Sequence, residues 1–90
     1  MEFDPGLRFD TAPGVYPPRE DSHLLLSAVS IEPGERVLEL GAGSGLVALH
    51  AGRIAKVVAT DVNPESTRLL RRNATANRIP LAVVRCDLFR

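Results

Sequence analysis

Three short apolar runs recur along this chain: Val37-Leu38 with Leu40, then Val57-Val58-Ala59, then Leu81 to Val84. Runs of this length, bounded by turn residues, read as buried strands. They predict strands over about Glu35–Leu40, Val57–Thr60 and Leu81–Arg85. Between the first two, Leu46, Val47, Leu49 and His50 fall at helical spacing, and Gly52 supplies a stop. Between the second and third, Asn63 is a good N-cap, Pro64 suits the first helical position, and Glu65 lies where the helix dipole favours an acid. That helix is expected to reach Asn77, with Pro80 closing it off from the third strand. Upstream, Pro17 and Pro18 precede a helix predicted over about Arg19–Ser30, with Leu24, Leu25, Ala28 and Val29 as its apolar face, and Pro33-Gly34 turns the chain into the first strand. Residues 1–14 carry Pro5, Gly6, Pro13 and Gly14 without periodicity and read as a leading loop.

Alternation of strand and helix implies an α/β chain with a Rossmann-like parallel sheet, helices on both faces, truncated after the third strand. Residues 15–90 then form the N-terminal half of a domain. Strand one of such a sheet normally sits centrally, with strands two and three stacked outward on one side. Its other edge would carry unpaired N–H and C=O groups, so the isolated chain is expected to be marginal or to associate.

Composition narrows the function classes. Ninety residues bury only about 60–65% of the unfolded surface, a small core. Eleven basic and eleven acidic residues cancel, which argues against nonspecific binding to nucleic acid or to a membrane surface. No apolar run approaches the roughly 20 residues of a membrane span. A single cysteine, Cys86, supports no internal disulfide framework, so a reducing cytoplasm is the expected location. His23 and His50 have no partners at metal-ligand spacing, and no metal is expected. Arg68, Arg71, Arg72 and Arg78 read as a solvated helix face, and Cys86 as a small buried residue.

The candidate chemistry lies between the first two strands. Gly41, Gly43 and Gly45 follow strand one directly and open a helix, an arrangement that lets a ligand approach backbone N–H groups at the helix start. Asp61 ends strand two, where folds of this class place a carboxylate on the two hydroxyls of a ribose. A dinucleotide fingerprint would put glycine at the sixth position counted from Gly41, and that residue is Leu46. Glu39, two residues before the first glycine, would repel a pyrophosphate but suits an ammonium group. S-adenosylmethionine has an ammonium, lacks phosphate, and carries a carboxylate that a helix N-terminus can receive. It fits better than NAD. Each residue also has a plainer reading: the glycines a ligand-free turn, Glu39 a solvated acid, Asp61 a cap for the Asn63-Pro64 turn, Asp87 a strand-end acid, Ser22 a first-turn helix serine, and Tyr16 a clamp on the leading loop.

The run Val37-Leu38-Glu39-Leu40-Gly41-Ala42-Gly43-Ser44-Gly45 resembles the first motif of the class I S-adenosylmethionine-dependent methyltransferases. Thr60-Asp61-Val62-Asn63-Pro64 is similar to the ribose-binding motif, and Cys86-Asp87-Leu88-Phe89 to the one whose Asp contacts the adenine amine. Upstream, Val15-Tyr16-Pro17-Pro18-Arg19-Glu20-Asp21-Ser22 with Leu24-Leu25-Leu26 is similar to the opening of the HemK-related glutamine methyltransferases of peptide release factors. The resemblance covers residues 15–89. It implies cofactor contacts from Ser22, Glu39, Gly41, Gly43, Gly45, Asp61, Val62, Asp87 and Leu88, and N5-methylation of a release-factor glutamine by the intact family. It also implies an optional small activator subunit beside strand three.

The family's Asn-Pro-Pro-Tyr segment, which holds the substrate amide, does not occur in this sequence. The resemblance therefore implies a donor half without a catalytic residue, inactive by itself. Two alternatives stand beside it: an RNA or DNA amine methyltransferase of the same fold, and a non-catalytic cofactor-binding or partner-docking fragment.

Overall fold

The computed structural model describes residues 1–87. Its elements run α1 (Glu20–Ala28), β1 (Arg36–Leu40), α2 (Leu46–Gly52), β2 (Lys56–Asp61), α3 (Pro64–Asn77) and β3 (Ala82–Arg85). The three strands form one parallel sheet in the order β1-β2-β3. Val37 faces Val57 and Glu39 faces Ala59 across the first pair, and Ala59 faces Val83 across the second. β1 is an edge among the described residues, as the topology argument expects.

Strand parity decides what is covered. Ala48 and Ala51 of α2, Val57 and Ala59 of β2 and Leu70 of α3 make the core, with Val37 and Val83 against it. These strand residues share one face, and the two helices close over it. Residues of opposite parity, Leu38, Leu40, Val58 and Val84, lie on the other face and remain exposed. The Rossmann-like parallel sheet is present. Of the two helical layers expected for it, the described residues supply one.

Local chemistry sets the helix boundaries. The Asn63 side chain accepts a hydrogen bond from the Glu65 N–H at 3.0 Å, with Pro64 in the first turn. At the other end Arg78 takes a left-handed conformation (φ 55°), and the Ile79 N–H reaches back to the Ala74 carbonyl at 2.9 Å. α1 corrects the predicted apolar face. Leu26 is its buried residue, whereas Leu24 and Leu25 are 71% and 55% exposed. Three consecutive leucines define no unique face, and α1 packs on α2 rather than on the sheet.

Residues 1–19 form no helix or strand, as expected of the leading loop, yet they are fastened to the body. Leu7 and Phe9 pack against a second small core of Leu49, Ala74 and Ile79. The buried His50 ring bridges α2 to this segment. Its Nδ1 lies 2.7 Å from the Leu46 carbonyl, and its Nε2 accepts from the Asp4 N–H at 2.9 Å. An accepting Nε2 requires the neutral ring with its proton on Nδ1. Burial accordingly pushes the His50 pKa below its ordinary 6.5.

Candidate functional site

At the C-terminal ends of β1 and β2 the chain forms a cleft of about 440 Å³. Ligands of open parallel sheets bind at this end, where strands give way to loops. Its floor is the glycine turn Gly41 to Ser44, and Glu39 and Asp61 face it from the two strands. Ser22 and Leu25 of α1 and Gly14 to Pro17 of the leading segment close the opposite side. The two carboxylates and the flexible bend between them thus meet in one cavity.

The glycine turn is held by its neighbours. The Ala42 N–H donates to the Thr60 carbonyl at 2.9 Å, tying the turn to β2. Gly43 donates to Asp61 Oδ2 and Asn63 donates to Asp61 Oδ1, each at 2.9 Å. Asp61 thereby spans the loop and the start of α3. A carboxylate has about four acceptor sites, so capacity remains for hydroxyl donors of a ligand. A Cβ at Gly41 or Gly43 would meet nothing, because that side opens into the cleft. At Gly45 (φ 93°) a Cβ would collide with the Leu70 side chain. Gly45 thus brings α2 close to α3 behind the cleft and does not line it, a packing task that the dinucleotide pattern assigns to its own last glycine.

Glu39 is the unusual group. Its Oε1 is buried and has no hydrogen-bond partner. Desolvation raises the carboxyl pKa from 4.5 to about 7, against a smaller opposing pull from the Ala48 N–H. An unpartnered buried carboxylate oxygen beside an open cavity is costly unless something arrives to satisfy it.

The remaining candidates divide. Ser22 lines the cleft, and its Oγ accepts from the Arg19 N–H at 3.4 Å. Val62 and Asp87 do not join this cavity. They line a neighbouring recess of about 430 Å³ with Arg85 and Cys86, where the Arg85 Nε–H donates to the Val62 carbonyl at 3.1 Å. The recess lies where β2 and β3 end and shares no lining residue with the cleft. Leu88 lies outside the described residues. Tyr16 does not clamp the leading loop: it stands 82% exposed at the cleft rim, with the Arg19 guanidinium 5.6 Å from its ring centre. Sequence reasoning missed the lining residues Val15, Leu25 and Ser66 and the bond from Asn63 Nδ2 to the Gly14 carbonyl. Only the unbroken Val15-Tyr16-Pro17-Pro18 stretch hinted that the leading segment belonged to the site.

Known proteins share both sequence and fold with this chain. Residues 6–90 match the family model "Methyltransferase small domain". A Methanocaldococcus jannaschii protein named "Putative protein N5-glutamine methyltransferase" is 35% identical over 93% of this chain and 44% of its own length. The ribosomal protein L11 methyltransferase of Caldicellulosiruptor saccharolyticus is 33% identical over 98% of this chain and 29% of its own. The crystal structure of a Pyrococcus furiosus methyltransferase superposes with a TM-score of 0.73 at 29% identity, covering 88% of this chain and 42% of that one. The chain thus spans less than half the length of these relatives. Parallel sheet, glycine turn and matched residues agree: the chain belongs to the methyltransferase small domain family.

Proposed function

We propose that the cleft binds S-adenosylmethionine as methyl donor and that the chain is the donor-binding part of a protein methyltransferase. One observation carries this reading: the buried, unpartnered Glu39 Oε1 beside the glycine turn. An ammonium group satisfies that oxygen and favours its ionised form, whereas a pyrophosphate would be repelled by it. The residues fit the donor. Glu39 would hold its ammonium, Gly41 and Gly43 give close approach, Asp61 keeps acceptor capacity for ribose hydroxyls, and the recess beside Val62 and Asp87 takes the adenine. When bound, the cofactor supplies an electrophilic methyl group on sulfur.

This chain's own residues bind and orient. With Glu39 and Asp61 given to holding the donor, this chain's share of catalysis is positioning. The finer assignment is N5-methylation of a glutamine side chain in a release factor: the M. jannaschii relative's name supports a protein glutamine as acceptor, and the resemblance of the Val15–Ser22 motif, whose Val15, Tyr16, Pro17 and Ser22 line the cleft, supports the release factor. The similarity to an L11 methyltransferase favours a second reading, in which the acceptor is a ribosomal protein. Tritiated S-adenosylmethionine offered to a full-length protein that carries this donor part, with release factor, ribosomal protein L11 and RNA as acceptors, separates the readings. Label on release-factor glutamine is expected. Label on L11 selects the second reading, and label on RNA alone contradicts both.

A further inference from the structure

The leading segment runs opposite to α3, held by side chains along the length of that helix. Asn77 brackets Arg8: its Oδ1 accepts from the Arg8 N–H and its Nδ2 donates to the Arg8 carbonyl, both at 2.7 Å. Asn73 brackets Asp10 in the same way, at 2.9 and 3.3 Å. Arg72 donates to the Thr11 carbonyl at 3.3 Å, and Asn63 donates to the Gly14 carbonyl at 3.1 Å. One side-chain amide thus supplies both a donor and an acceptor to each alternate backbone unit, as a neighbouring strand would. The pitches match. Four residues of helix rise about 6 Å, and two residues of extended chain advance about 6.6 Å.

Asn73 has a further partner. Fully buried, it also donates to the Ser44 carbonyl of the glycine turn at 3.4 Å. One side chain therefore touches α3, the leading segment and the floor of the cleft. Past Thr11 the segment turns, with the Val15 N–H on the Ala12 carbonyl, and delivers Gly14 to Pro17 to the cleft wall.

We infer that residues 8–14 form a strap and that Asn73 and Asn77 are positioning residues for the cofactor cleft, holding in place the wall built by Gly14 to Pro17. The inference rests on the cofactor reading of that cleft. Asn77 lines no part of the cleft, and its one further bond, from Nδ2 to the Asn73 carbonyl at 2.8 Å, stays within α3, so its loss reaches the cleft mainly through the strap. Because coupling is reciprocal, a bound cofactor must also hold the strap down.

The test is trypsin cleavage of the chain, read together with calorimetric binding of S-adenosylmethionine. The Arg8 side chain is exposed and offers a cleavage site in the strap, while Arg68 lies within α3, paired with Glu65 of the same helix, and reports global unfolding. Asn77→Ala places a good helix former at the end of α3. With two strap hydrogen bonds worth about 1 kcal/mol each removed, it should raise cleavage after Arg8 about tenfold or more and weaken binding by as much as the closed fraction of the strap falls. Cleavage after Arg68 should stay unchanged, and saturating cofactor should restore protection at Arg8. Asn73→Ala, which also frees Ser44, should weaken binding further. If it does not fold, Asn77→Ala still decides. Unchanged cleavage after Arg8 in Asn77→Ala, or bound cofactor that leaves cleavage after Arg8 unslowed, overturns the inference alone. A wild-type chain that takes up no S-adenosylmethionine overturns the cofactor reading and the inference with it.

Discussion

At the scale of single residues, Glu39 concentrates the argument. Burial holds its carboxyl near pH 7 in the free chain, so an incoming ammonium must bind the fraction that is ionised. Affinity for S-adenosylmethionine should therefore rise by up to about tenfold per pH unit between pH 5 and 7 and level off above. Glu39→Gln should bind at least about tenfold more weakly at pH 8 and lose this slope. Calorimetric titrations across that range check both. In the free chain the sign reverses. The folded pKa lies above the unfolded 4.5, so the contribution of the neutral acid is complete below pH 4.5 and is lost as pH rises through about 7. Chemical denaturation of Glu39→Gln without cofactor should accordingly show a gain in stability over wild type above pH 7 and little gain at pH 4. The position of Glu39 beside the glycine turn was legible in the sequence, because carboxylate and glycines lie on one strand-to-turn run. Its missing partner was not, since that depends on which atoms of α2 come near.

At the scale of elements, the capped helix and the alternating strands were the most legible parts. Asn63-Pro64-Glu65 names its own start, and α3 extends from Pro64 to Asn77 as expected. Strand bounds moved by a residue or two, as hydrogen-bonded ends do. The leading segment was illegible beyond its lack of periodicity. A backbone docked by side-chain amides leaves no repeating pattern, and the one available signal was a pair of asparagines four apart on α3. His50 ties this segment down from its other end. Its folded pKa is lowered, so its contribution is fully present above the unfolded 6.5 and is lost as pH falls through the folded value. Denaturation curves at pH 7.5 and 5 should show wild type losing stability relative to His50→Gln as the solution acidifies. Equal losses in both proteins would mean that the ring does not carry the pH dependence.

At the scale of the whole molecule, the uneven cover of the sheet among the described residues stands out. Helices cover one face of the sheet, while Leu38, Leu40, Val58 and Val84 face outward on the other, beside the free edge of β1. Such a patch next to unpaired backbone groups favours association. The unfolding midpoint of this chain should rise with protein concentration, and the double variant Leu38→Thr, Val84→Thr should sediment as a monomer. A concentration-independent transition in wild type would refute that. The order β1-β2-β3 and the shared cleft of Glu39 and Asp61 followed from chain order and strand ends. The strap's part in that cleft depends on side-chain contacts between segments far apart in the chain, which no local pattern encodes. The account as a whole rests on a cavity suited to a positively charged adenosine compound without phosphate. Isothermal titration of the chain with S-adenosylmethionine and with NAD at pH 8 tests this most directly. One-to-one binding of S-adenosylmethionine in preference to NAD is the predicted result; preference for NAD, or no uptake of either, would contradict it.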